Sequence, residues 1–172
     1  MNDIVNALKQ GAQESKKFKE QLFEENDILC SINTFEAEYL ILNALGKASG
    51  INVETVETPM GAELRVSMFG EHIFDIIPAG DGIQQSAKWS KNNGVLALRF
   101  SKTITVGDGV IEKCNQYNME KPQKFIHQGN LLEVYYDIYF ENGCNCKEFM
   151  HQVTSFVNSV QAIEPKKIKT IH

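Results

Sequence analysis

The residues whose types and spacing are best suited to chemistry are two cysteines and a histidine near the end of the chain. In the stretch ENGCNCKEFMH, Cys144 and Cys146 stand one residue apart and His151 follows five residues later. Zinc sites take Cys and His ligands, commonly from CxxC pairs, and a closed site needs four of them. A thiol just before a helix can instead act in redox chemistry, because the helix N-terminus lowers its pKa.

The helix that must follow these cysteines separates the three side chains. Apolar residues recur every three or four positions from Cys146 to Ile163, which predicts an amphipathic helix. At 100° per residue, His151 lies about 140° around that helix from Cys146. We therefore expect Asn145 to cap the helix, Cys146 to begin its buried stripe and His151 to face away, and only Cys144 remains a redox candidate.

Other patterns of catalytic residues are weak. A nucleophile would need a nearby His and an orienting acid, and neither His72 nor His127 stands beside such a pair. The glycines of Gly107-Asp108-Gly109 lack the Lys-Ser/Thr of a P-loop and the GxGxxG pattern. The acidic cluster 24–27 is more typical of a solvated helix end than of a metal site. We expect no enzymatic activity, no cofactor and no bound metal.

The composition indicates one soluble domain. The chain has 172 residues, of which 42% are apolar and 23% charged, as in ordinary globular proteins. A formal net charge of -5 repels nucleic acid phosphates. Neither a signal peptide pattern nor a membrane-spanning apolar run is present, so we expect a cytoplasmic protein that binds no membrane. Its four cysteines are then expected to be reduced.

Periodicity predicts an α+β domain with an antiparallel sheet packed against helices. Asn33 and Glu36 form a capping box before a helix, and four strand patterns follow from Ile51 to Ile104. A short helix, a hairpin and the last helix complete the order α-α-β-β-β-β-α-β-β-α. We divide the chain into an N-terminal amphipathic helix (1–28), the α+β domain (29–165) and a basic flexible tail (166–172).

Three apolar side chains are candidates for binding a protein partner. Phe18 and Leu22 belong to the narrow apolar stripe of the N-terminal helix, which needs either the domain or another chain to cover it. Trp89 lies in a polar loop. It is either an exposed recognition aromatic or, as is commoner, a ring that fastens its loop to the domain.

Several strings of the chain resemble the YbjN-like family of bacterial putative sensory transduction regulators. The main one is VIEKCNQYNMEKPQKFIHQGNLLEVYYDIYF, in which a helix ends in Asn115-Gln116-Tyr117-Asn118 before a hairpin and a final amphipathic helix. LGKASGINVE and NGVLALRF support it, and the likeness runs from about Asn33 to Ile163. The resemblance implies a fold like that of type III secretion chaperones, which often dimerise and bind protein segments without chemistry. It supplies no catalytic residues, and it does not cover the N-terminal helix.

Three functions follow as hypotheses. The first is a non-enzymatic bacterial regulator or adaptor that binds a protein partner, as a homodimer. The second is a secretion-type chaperone that binds an extended effector segment along a sheet edge or a helical groove. The third is a small redox-sensing protein that uses Cys144.

Overall fold

A computed structural model describes residues 22–46, 50–59, 61–79 and 88–163. Its helices are α1 (Thr34–Leu45), α2 (Asp108–Glu120) and α3 (Cys146–Ile163). Its strands are β1 (Ile28–Leu29), β2 (Ile51–Thr58), β3 (Gly61–Met68), β4 (Glu71–Pro78), β5 (Ala97–Thr105), β6 (Lys124–Gln128), β7 (Leu131–Tyr139) and β8 (Cys144–Asn145).

Six of the strands form one antiparallel sheet in the order β2-β3-β4-β5-β7-β6. The short strands β1 and β8 pair separately. The predicted α+β class with an antiparallel sheet and helices is thus confirmed. The order differs from the prediction by β1 and β8, which are too short to show a period in the sequence.

The core lies between α3 and one face of the sheet. Phe149 and Phe156 of α3 contact Phe100 of β5 with ring centroids 5.8 Å away in both cases, and Phe156 also contacts Phe74 of β4 at 5.4 Å. All four rings are fully buried. Edge-on aromatic pairs add to the hydrophobic gain of burial, so these contacts hold α3 against β4 and β5.

The entry to α1 follows the predicted capping box. The Asn33 side chain accepts a hydrogen bond from the Glu36 N–H, and the Glu36 carboxylate accepts one from the Asn33 N–H, both at 2.9 Å. Two backbone donors that the first turn of a helix leaves free are thereby satisfied. The prediction of this helix start is confirmed.

The predicted N-terminal helix (1–28) is wrong for the part that the structure describes. Residues 22–27 form a turn in which the Asp27 N–H donates to the Glu24 carbonyl at 3.1 Å. The carbonyls of Glu25 and Asp27 accept from the N–H groups of Lys147 and Cys146, at 2.9 Å each. The turn therefore caps α3 instead of continuing a helix of its own. Residues 1–21, with Phe18, and the tail 166–172 lie outside the described residues.

No helix in the described ranges is both long enough and apolar enough to cross a membrane.

Candidate protein-binding groove

The cysteines and the histidine of ENGCNCKEFMH do not converge. Cys146 is fully buried, and that burial raises the pKa of its thiol from 9.0 to about 11. His151 is exposed. Asn145 caps α3 as predicted, since its side chain accepts from the Glu148 N–H at 2.7 Å. Across the described residues, no three His, Cys, Asp or Glu side chains are grouped so that they could hold a metal ion.

Cys144 differs from the low-pKa thiol that the redox hypothesis requires. It is half-buried, and burial raises its thiol pKa, with a further increase from the charge of Glu148. The Phe149 N–H lowers this pKa, but by less. Of the first four N–H groups of α3, three already bond Asp27, Glu25 and Asn145, which leaves only that of Phe149 for the thiol. One such bond does not offset burial and Glu148, so the expected lowering of the thiol pKa is wrong.

Trp89 is not an exposed recognition aromatic. Its side chain is 1% exposed, and its Nε1–H donates to the Ile32 carbonyl at 3.0 Å. The ring thus fastens its segment to the domain, which is the alternative considered for it. Leu22 is half-buried beside the turn that caps α3, and nothing about its position marks it as a binding residue.

The feature that our sequence reasoning missed is an overhang of β7. β6 pairs with β7 only from Leu131 to Tyr135, whereas β7 continues to Tyr139. The last four residues of β7 are paired with β5 on one side and with no described strand on the other. The unequal lengths of the two hairpin strings, KFIH and LLEVYYDIYF, are the signal that could have found it.

The antiparallel pattern shows which backbone groups face this open edge. Gln128 and Leu131 flank a two-residue turn and form the first hydrogen-bonded pair of the β6–β7 hairpin. Every second residue of β7 therefore directs its N–H and C=O to the β6 side, which beyond Tyr135 means Asp137 and Tyr139. The Phe140 N–H bonds the Leu96 carbonyl at 2.8 Å, consistent with the intervening residues facing β5. Among the described residues, neither the outward N–H nor the outward C=O of these two edge residues has a hydrogen-bond partner.

An open groove of about 570 Å³ runs beside the overhang. We call it the β7 groove; the residues that line it include Ile28, Tyr136, Tyr139, Cys144, Glu148 and Gln152. The backbone of β7 forms one side, and β1, β8 and the first turns of α3 form the other. Ile28 and Tyr139 are 62% and 61% exposed, so apolar surface is available on both sides.

The neighbouring edge of β6 is covered at Phe125, in contrast. The Asn118 side chain accepts from the Phe125 N–H at 2.8 Å and donates to the Phe125 carbonyl at 2.9 Å. It thereby supplies the two bonds that another strand would make, since Phe125 faces away from β7 in the hairpin ladder. Asn118 therefore has a structural role, because it joins α2 to β6. Asn115 is exposed.

Charge is distributed unevenly around the groove. The Arg99 guanidinium donates to both carboxylate oxygens of Asp137, at 2.7 and 2.8 Å, and stacks 4.2 Å from the Tyr135 ring centroid. The hydrogen bond to Asp137 raises the pKa of Arg99. Glu148 has no such cation among the described residues; its carboxylate accepts a hydrogen bond from Gln152. The α3 side of the groove is therefore electronegative.

No protein-family model matches the chain, and no curated protein is significantly similar to it. The role of the groove therefore has to be argued from its geometry and chemistry.

Proposed function

We propose that the protein is a non-enzymatic adaptor that binds a protein partner by adding an extended segment of that partner to the free edge of β7. The observation that carries this proposal is that the outward N–H and C=O groups of Asp137 and Tyr139 open onto the β7 groove and have no partner within the described ranges. In strand addition, main-chain hydrogen bonds supply affinity and the adjacent pockets supply specificity.

In the part of the chain that the structure describes, the edge lacks the usual protection against such pairing. Natural proteins guard free strand edges with charged side chains, prolines, bulges or a covering element. Here the carboxylate of Asp137 is neutralised by Arg99. The two sides of the β7 groove carry the exposed apolar side chains of Ile28 and Tyr139. An edge of this kind suits a short segment of another chain, which would bury these two side chains.

The likeness to YbjN-like regulators and to the type III secretion chaperone fold supports the same class of function. It also supports our expectations of a homodimer and of a cytoplasmic, bacterial protein. A chaperone for an extended effector segment is the second candidate, because a sheet edge is the site such a segment would use. A neighbouring effector gene would favour the chaperone, and a housekeeping neighbourhood would favour the regulator. A redox role for Cys144 is disfavoured, because burial and the charge of Glu148 raise the pKa of its thiol.

The test uses the full chain and a displayed library of unstructured peptides about twelve residues long. Peptides selected on the wild-type chain should slow hydrogen exchange at the amides of Asp137 and Tyr139. The amides of Tyr136 and Ile138 serve as internal controls, because they are oriented toward β5 and should change little. Selected peptides that leave the exchange of Asp137 and Tyr139 unchanged contradict the proposal.

A matched pair of variants isolates the backbone donor. Tyr139→Pro removes the outward N–H, and Tyr139→Ala removes the same ring but keeps that N–H. Proline is tolerated at edge strands where the N–H faces outward, so both variants should fold. We expect Tyr139→Pro to bind selected peptides at least ten times more weakly than Tyr139→Ala. Equal binding by both would show that the edge is not used.

A further inference from the structure

The two faces of a strand added to β7 would meet different surroundings. Side chains alternate between faces along a strand, and directly opposed residues point to the same face. Residues of the added strand opposite Tyr136 and Ile138 would point to the side of α3. Residues opposite Asp137 and Tyr139 would point to the open face of the sheet.

The α3 side of the β7 groove has a negative charge without a matching positive one. Glu148 is exposed, and within the described ranges no Lys or Arg lies at ion-pair distance from it. Its carboxylate is close enough to Cys144 and Tyr136 to raise the pKa of both, in addition to the larger effect of their burial. A cation placed here would gain a charge-assisted hydrogen bond and could contact the Tyr136 ring.

Among the described residues that line the β7 groove, none on the open-face side has an unpaired charge. The carboxylate of Asp137 is already bonded by both arms of the Arg99 guanidinium fork. Beside this neutral pair, the Tyr139 ring stands 61% exposed at the end of the strand. An apolar side chain there would bury aromatic surface without leaving a buried charge unpaired.

We infer that the β7 groove selects an extended segment with Lys or Arg on the face toward Glu148 and apolar residues at the alternate positions toward Tyr139. This inference rests on the proposed strand addition and specifies the chemistry of the partner. A segment with Glu on the α3 side would be repelled by Glu148, so charge at this one position sets the choice of partner.

The first measurement compares three capped nine-residue peptides that differ only at the central position. Their sequences are SVTVKVTVS, SVTVQVTVS and SVTVEVTVS, with Val on one face and polar residues on the other. Binding of each fluorescently labelled peptide to the full chain is measured by anisotropy at low salt. We expect the Lys peptide to bind about tenfold more tightly than the Gln peptide, equivalent to about 1.4 kcal/mol, and the Glu peptide to bind most weakly.

The second measurement assigns that preference to Glu148. Glu148→Gln should reduce the Lys-to-Gln affinity ratio to about one, because only the carboxylate distinguishes the two peptides. Glu112→Gln is the matched control: Glu112 is exposed on α2, and the variant has the same change in net charge. It should leave the ratio near tenfold. A ratio of one in the wild type, or an unchanged ratio in Glu148→Gln, overturns the inference.

Hydrogen exchange separates failure of this inference from failure of strand addition. If the Lys and Gln peptides bind equally and both protect the amides of Asp137 and Tyr139, the charge preference is wrong while the proposed function holds. If no peptide protects either amide, strand addition at β7 is itself contradicted, and the inference fails with it.

Discussion

The Nε1–H of Trp89 donates to the backbone carbonyl of Ile32, 57 residues earlier in the chain, at 3.0 Å. The same carbonyl accepts from the Val95 N–H at 2.9 Å, and the Trp89 carbonyl accepts from the Ala62 N–H at 3.0 Å. The residue thus joins the segment before α1, the start of β3 and the segment before β5. Its burial follows from this structural role, which is the commoner of the two alternatives that the sequence left open.

Replacing Trp89 with Phe tests that role. Trp89→Phe keeps an aromatic ring but removes the indole donor and leaves unfilled volume, so we expect the free energy of unfolding to fall by about 1–3 kcal/mol. Urea denaturation measures it. Lys88→Ala is the control, because Lys88 is exposed on the adjacent position, and its effect should stay within about 0.5 kcal/mol. A Trp89→Phe chain as stable as wild type would contradict the role.

Asn118 should matter to stability much more than Asn115. Asn118→Ala leaves the N–H and C=O of Phe125 without their side-chain partner, and we expect a loss of about 2 kcal/mol in the free energy of unfolding. The Phe125 amide should also exchange faster. Asn115→Ala, at an exposed position of the same helix, should change stability by less than about 0.5 kcal/mol. Equal effects of the two variants would remove the special role of Asn118.

The elements that could be predicted from the sequence are those that neighbouring residues determine. The period of α3 and the capping box of α1 lie within one turn or one helix, so both could be predicted from neighbouring residues. The turn at 24–27 could not, because its carbonyls bond Cys146 and Lys147, over a hundred residues later. Periodicity contains no information on such distant partners, and an N-terminal helix was predicted there instead.

The candidate site was predictable only in part. The position of Asn145 before α3 and the separation of Cys146 from His151 follow from the helical period. The half-burial of Cys144 does not, because it depends on Ile28 and β1 packing beside β8. The β7 overhang is set by where β6 begins after α2, and this start is fixed by Asn118 bonding Phe125. These are tertiary contacts between elements.

Substitution of Gly143 should destabilise the chain more than substitution of another glycine that also has a positive φ. Gly143 has φ +79°, and a Cβ there would lie 2.7 Å from Cγ2 of Ile28. Gly129 has φ +61° and open space around it. Gly129→Ala should cost about 1–2 kcal/mol from the left-handed conformation alone, and Gly143→Ala should cost more.

A second substitution separates the clash at Gly143 from its backbone strain. In an Ile28→Ala background, Gly143→Ala should cost about as little as Gly129→Ala, because the Ile28 methyl group that it meets is gone. The coupling between positions 28 and 143 should be about 0.5–3 kcal/mol, measured by urea denaturation of the four chains. Additive effects would mean that the Ile28 side chain moves aside without a cost in free energy. The wall of the β7 groove at Ile28 would then be flexible.

The buried thiol of Cys146 should make the stability of the chain depend on alkaline pH. Its pKa is raised from 9.0 to about 11 in the folded state, first by burial and then by the charge of Asp27. Because the unfolded chain loses this proton first, the stabilisation is fully present below pH 9 and is lost as the pH rises toward 11. At 1.36 kcal/mol per pKa unit, we expect a loss of about 2 kcal/mol by pH 11.

Other groups also titrate in this range, so the measurement is a difference between two chains. Cys146→Ala lacks the thiol but keeps every other titratable side chain, and both chains are unfolded with urea under a reductant from pH 8 to 11. The stability of wild type relative to Cys146→Ala should decrease by about 2 kcal/mol across that range. A difference that stays constant with pH would mean that the Cys146 thiol ionises as easily in the folded chain as in the unfolded one, against its complete burial at the start of α3.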